Sequence, residues 1–169
     1  PAASIKTLRD WLRLRPHFKP PRNAAPRKRP HPGIRARKNT RMTQKPGLLE
    51  LTFHGEDPRL AMDLRNDKAL PVGPYVLAFK LNKAPGGGGE VFYTTDNKTV
   101  LPKRNRIDFP IDGSGGPQDV RIPIPTDQSL KQIRLDVSDG PGSASLRNLR
   151  LLDSEGRIIK DWTPEKPKG

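Results

Sequence analysis

From residue 47 onward, apolar and polar positions alternate with a period of two in short runs, each broken by turn-forming residues. LLELTF places Leu49, Leu51 and Phe53 on one face, and YVLAFKL does the same with Tyr75, Leu77, Phe79 and Leu81. Ile107, Phe109 and Ile111, then Val120, Ile122 and Ile124, then Ile133, Leu135 and Val137 mark three more inward faces. EVFYTT and SASLRNLRLL complete a set of seven or eight strands. The separators are Pro71 to Pro74, Pro85 to Gly89, Asp112 to Pro117, Asp139 to Gly142 and Asp153 to Gly156. No amphipathic helix of useful length lies between them. The pattern predicts an all-β fold, an antiparallel β-sandwich or jelly roll over residues 47–163, with 164–169 a disordered tail. Pro110, Pro123 and Pro125 cannot donate to a ladder, so strands 107–111 and 120–125 are expected at sheet edges or at bulges.

The first 46 residues follow different rules. In SIKTLRDWLRLR, Ile5, Leu8, Trp11 and Leu12 recur at spacings of three and four, which predicts a short amphipathic helix within residues 1–16, stopped by Pro16. That stripe fits either docking on its own domain or the last helix of a preceding domain. Residues 17–46 hold only Phe18, Ile34 and Met42 as large apolar residues among many prolines and ten Lys/Arg. Too little surface is available there to offset chain entropy, so 17–46 reads as a disordered, proline-stiffened basic linker. Charge has the same partition. The 169 residues carry a net charge of +14, but residues 1–46 alone have 14 Lys/Arg against the single acid Asp10. Residues 47–169 are therefore close to neutral.

Cysteine is absent, which excludes disulfides, thiolate metal sites and a cysteine nucleophile. No apolar run is long enough to span a bilayer. Gly86 to Gly89 lacks the Lys-Ser/Thr of a phosphate loop and reads as a flexible hairpin loop. His17, His31 and His54 share no ligand spacing, and no G-x-S-x-G elbow occurs. Glu50, Glu56, Asp57 and Asp63 form the one acidic cluster of the domain; the expected reading is solvent-facing charge rather than calcium binding or glycoside hydrolysis. No metal, cofactor or catalytic residue is assigned.

Two features suit binding. The loop TTDNKTVLPKRNR follows a strand ending in Tyr93 and supplies Asp96, Asn97, Lys98, Lys103, Arg104 and Arg106. An aromatic platform with amide, carboxylate and basic side chains matches the hydrogen-bonding and charge of sulfated or uronate sugars. Trp162, at the end of the last strand, is either a stacking platform or a core residue, and core is expected. The basic segment offers phosphate contacts and supports the alternative of a basic-tail polyanion or nucleic-acid binding protein, although with Phe18 as its only aromatic it lacks base stacking, which argues against nucleic acid. It also lacks an apolar face for a membrane surface.

The succession YVLAFKLN, GEVFYTTD, RIDFPIDG, VRIPIP and LKQIRLDVSDGPGSASLRNLRLLDSEGRII resembles the β-sandwich appended C-terminally to bacterial arylsulfatase A-like sulfatases, a galactose-binding or carbohydrate-binding-module-like region. The family has Trp-His after the D-G, where this chain has Ser114 to Asp119, so no ligand role passes to that loop. SIKTLRDWLRLRPHFKPPRNAAPRKRP is similar to the end of such a catalytic domain and its basic tail. The resemblance implies a non-catalytic accessory domain whose upstream partner, in the same polypeptide, is the sulfatase. The C/S-x-P-x-R motif that yields the formylglycine nucleophile is absent here. The resemblance further implies an anionic or sulfated polysaccharide as ligand, and a periplasmic or extracellular setting.

Overall fold

The computed structural model describes residues 33–82, 84, 87–97 and 101–165. Eleven strands run in chain order: β1 (Ile34–Arg37), β2 (Thr40–Lys45), β3 (Leu48–Phe53), β4 (Arg59–Asp63), β5 (Tyr75–Asn82), β6 (Gly87–Thr94), β7 (Arg106–Ile111), β8 (Gln118–Ile124), β9 (Gln132–Asp136), β10 (Gly142–Leu152) and β11 (Ile158–Asp161). They form two sheets, and every strand pair is antiparallel. One sheet, here called A, has the order β1-β4-β9-β6-β7; sheet B has β2-β3-β10-β5-β8, with β11 beside the far end of β10. The all-β sandwich expected from the alternation is the fold observed. The helix expected within 1–16 lies outside the described residues.

Each expected inward face is a buried face, except that Ile107 is only partly covered. β5 is the clearest case: Tyr75, Leu77, Phe79 and Leu81 are buried while Val76, Ala78, Lys80 and Asn82 point outward. The prolines also predict the edges. β7, which contains Pro110, ends sheet A, and β8, which contains Pro123, ends sheet B.

Two expectations are corrected. Residues 34–45 are not linker: β1 buries Ile34 and adds to the edge of sheet A, while β2 packs the half-buried Met42 at the edge of sheet B. An edge strand needs only one or two inward side chains, so its composition stays polar. Lys38 and Asn39 form the turn between them, both with positive φ (25° and 54°). Asn39 ties it to the β3–β4 connection by donating from Nδ2 to the Glu56 carbonyl at 2.6 Å. Gly87, Gly88 and Gly89 are not a loop either but ladder positions of β6, opposite Ile111, Pro110 and Phe109. A Cβ at Gly89 would fall within the Phe109 ring, so the glycine lets that ring lie flat across the strand and meet Phe79 edge-on at 5.9 Å.

In β10 the inward parity shifts from Ala144 and Leu146 to Leu149 and Leu151 through a bulge at Arg147–Arg150, with Asn148 at φ 51°. The chain end holds this bulge: Trp162 N donates to Leu149 O, and Thr163 Oγ1 accepts from Leu149 N, both at 2.9 Å. Trp162 is fully buried, as core rather than platform, and its Nε1 has no hydrogen-bond partner among the described residues.

Candidate functional site

The loop residues expected to gather around a ligand are placed apart. Tyr93 turns inward and belongs to the core, since in β6 the parity of Val91 and Tyr93 is the buried one. Its carbonyl accepts from Asn105 Nδ2 at 3.1 Å, a structural role. Asp96 and Asn97 are exposed, Thr94 Oγ1 donating to Asp96 Oδ1 at 3.0 Å. Lys98 lies outside the described residues. Lys103 and Arg104 stand exposed on a single 3-10 turn. Arg106 is bound by Glu90 at 2.6 Å and Asp108 at 2.7 Å. The acidic cluster also disperses: Glu50 pairs with Lys45 on sheet B at 2.8 Å, whereas Asp57 and Asp63 serve sheet A. Among the described residues no three His, Cys, Asp or Glu side chains are placed to hold a metal ion.

Instead, the outer face of sheet A collects cations. Its register aligns one row across the sheet: Arg35 opposite Ala61, Ala61 opposite Arg134, Arg134 opposite Phe92 and Phe92 opposite Arg106. The neighbouring row puts Arg37 opposite Arg59, like charges that repel at this separation. Asp57, beside them at the mouth of β4 with φ 56°, makes that pairing tolerable. It binds Lys38 at 2.7 Å, Arg59 through a two-point contact and Arg134 at 2.8 Å. Hydrogen bonds from Arg59 above all, then Lys38, hold its carboxyl well below the usual carboxylate range. Arg134 is also forked by Asp136, whose own carboxyl is pushed up by burial against the pull of that guanidinium.

Ala61 provides no bulk between these long side chains, and the result is an open trough of about 620 Å³ along β1, β4 and β9. Arg37, Lys38, Arg59, Arg65 and Arg134 line it with Gln132 and Leu101. Leu101 is the one point at which the expected loop borders it. Arg65 is neutralised by Asp63 at 2.5 Å, whereas Arg37 has neither an ion pair nor a side-chain hydrogen bond among the described residues. Arg59 and Arg134 are thus oriented by Asp57 and Asp136, while Arg37 is a free guanidinium on the rim.

Aromatic surface is scarce. Phe92 is the one aromatic side chain pointing out of sheet A, and the Arg134 guanidinium caps its ring at 4.6 Å from the centroid. Every other aromatic side chain among the described residues is buried. The signal for this site was in the sequence, as arginines at the outward positions of IRAR, RLAMD and IRLDV, but the segments are far apart and only strand pairing joins them.

No protein-family model matches the chain, and no curated protein matches it in sequence. Its structure does have solved counterparts. A family 29 carbohydrate-binding module from Piromyces equi superposes with a TM-score of 0.52 at 12% identity, covering 76% of this chain and 87% of the module. A second family 29 module gives a TM-score of 0.51 at 10% identity over 71% and 77% of the two chains. A third, a variant solved in complex with cellulohexaose, gives 0.50 at 10% identity over 71% and 80%. The fold is that of a carbohydrate-binding-module-like β-sandwich. At such identities the likeness extends to the architecture and not to any binding residue.

Proposed function

We infer that this chain is a non-catalytic accessory domain that binds an anionic, sulfated polysaccharide through the outer face of sheet A. The observation that carries this reading is the pairing of a guanidinium-lined trough with the absence, among the described residues, of a free aromatic platform. Neutral sugar rings gain most from stacking on exposed aromatic faces, which this surface does not provide. Sulfate esters and uronates gain from forked, charge-assisted hydrogen bonds, which it does. The similarity to carbohydrate-binding modules, one of them solved with a bound oligosaccharide, supports a glycan rather than another polyanion. The resemblance to sulfatase C-terminal sandwiches supports a role beside a sulfatase catalytic domain in the same polypeptide, outside the cytoplasm, holding the polymer near the hydrolytic site.

Affinity gel electrophoresis tests the reading directly. The full chain is expected to be retarded by carrageenan, fucoidan or heparin and not by hydroxyethyl cellulose, and Arg35→Ser with Arg37→Ser is expected to weaken the retardation. Equal retardation in the neutral polymer would overturn the anionic specificity. Mobility unchanged in every gel would leave only a supporting role for the domain. Binding to duplex DNA tighter than to heparin at matched salt would move the function to the basic residues before 33.

A further inference from the structure

The opposite face repeats the motif. On sheet B, Arg150 of β10 lies opposite Ala78 of β5, and Ala78 lies opposite Arg121 of β8. This is the arrangement of Arg35, Ala61 and Arg134 on sheet A: an outward alanine on a central strand, with an arginine on each flanking strand. In both rows the arginine backbones are two interstrand spacings apart, about 9.5 Å. On sheet B, too, the missing side-chain bulk leaves a hollow, of about 420 Å³, whose lining includes Lys80, Asp119, Arg121, Asn148, Arg150 and Ile158. The β10 bulge contributes to it by turning Asn148, at φ 51°, onto this surface.

The charges available there are real cations. Arg121 and Arg147 have neither ion pairs nor side-chain hydrogen bonds among the described residues. Lys80 meets Asp119 only at 3.7 Å, and the Asp119 side chain is 80% exposed. Arg150 is oriented by Asp161 at 3.1 Å, much as Asp57 and Asp136 orient Arg134 on the other face. Arg147 and Lys80 are direct cross-strand partners, a like-charge pair that an anion between them would relieve. No aromatic side chain points out of this face among the described residues, so its chemistry is also that of charge-assisted hydrogen bonding.

We propose that the outer face of sheet B is a second site for the same class of ligand, a sulfated or uronate polysaccharide, and that the domain thereby bridges two polymer chains. The proposal rests on the reading of sheet A as the first site. The two troughs open on opposite sides of a sandwich, separated by both sheets and the core between them, so a straight glycan segment lying in one cannot also lie in the other. Two separate segments can, and each then raises the effective concentration of the protein for its neighbour.

A two-layer capture experiment with heparin as the probe separates the two readings. The full chain is loaded on a heparin-coated surface, washed, and exposed to fluorescent heparin. The wild type is expected to be retained and to capture the second layer. Arg121→Ser with Arg150→Ser is expected to be retained at the surface through sheet A but to capture only background. Arg121→Ser with Lys80→Ser, which leaves the Arg150–Asp161 pair intact, is expected to behave in the same way and guards against a folding defect, checked by equal melting temperatures. Retention of the wild type without second-layer capture overturns the second site and leaves the first standing. Undiminished capture by both sheet B variants overturns it as well and assigns the second contact to the basic residues before 33. Failure of the wild type to be retained at all is instead the failure of the first reading.

Discussion

Asp57→Asn isolates the charge that holds the sheet A trough together. Asparagine keeps a carbonyl acceptor for Arg59 and tolerates the left-handed backbone at φ 56°, so the perturbation is close to electrostatic alone. Three ion pairs are lost. The two-point contact with Arg59 holds the charge most strongly; of the other two, that with Arg134, whose side chain is 17% exposed, is less solvated than that with Lys38, 51% exposed. At ~0.2–1 kcal/mol for each partly solvated pair, the sum is about 2 kcal/mol. The retained amide hydrogen bond returns part of this, and so does the easier ionisation of Asp136, which the charge on Asp57 opposes. The expected net loss is about 1 kcal/mol at pH 7, or a fall of roughly 3–8 °C in melting temperature. The pH dependence supplies a second check. The carboxyl of Asp57 is held below its ordinary value, so its contribution is complete above the unfolded pKa near ~3.9 and is lost as pH falls from there through the folded value. Urea denaturation of both proteins should show the full gap at pH 7 and a shrinking one below about pH 4. Equal stability at pH 7, or a gap that persists unchanged to pH 2, would refute the electrostatic account.

Other substitutions probe the frame. Gly89→Ala should displace the Phe109 ring and its edge-on contact with Phe79, costing ~1–3 kcal/mol in denaturant unfolding; a neutral result would mean that β6 yields instead of the ring. Tyr75→Phe should cost ~1–3 kcal/mol, because the hydroxyl accepts from the buried Leu130 N–H at 3.3 Å and donates to the Pro71 carbonyl; full stability would place another acceptor at Leu130. Asn148→Ala should lose ~1–2 kcal/mol to the left-handed bulge while Asn148→Gly stays near wild type, and equal losses from both would indicate that the Asn148 side chain, not its backbone, matters.

The strands read correctly from sequence are those with three or four inward side chains, such as β5 and β8. Those missed are short or polar: β1 fully buries only Ile34 and β4 only Leu60 and Met62. Alternation needs several repeats before it stands out from chance, and an edge strand facing solvent rarely supplies them. The arginine trough on sheet A was not legible from the sequence for a related reason. EVFYTT offers Phe92 and Tyr93 as equal aromatic candidates, yet the same period-two rule that found the strand sends Tyr93 inward with Val91 and leaves Phe92 outside. Local sequence could not show that Arg134 would cap Phe92, because that contact depends on the pairing of β6 with β9. The trough draws on β1, β4 and β9, and its existence is a property of register.

The β1–turn–β2 corner gives one edge strand to each sheet and so fastens the sandwich along a side. Its polar, arginine-rich composition makes it look like the end of a tether, and a boundary drawn from composition would fall at residue 46. Cutting there would strip an edge from both sheets at once, uncover the flanks of β3 and β4, and remove Arg37 and Lys38 from the trough and Arg35 from the row beside it. An excised domain beginning at residue 47 should therefore be aggregation-prone and, on the proposed function, weaker in binding sulfated polysaccharide, whereas one beginning just before Gly33 keeps both sheets complete. The sandwich carries its own fastener, written in the same residues as the recognition surface proposed for it.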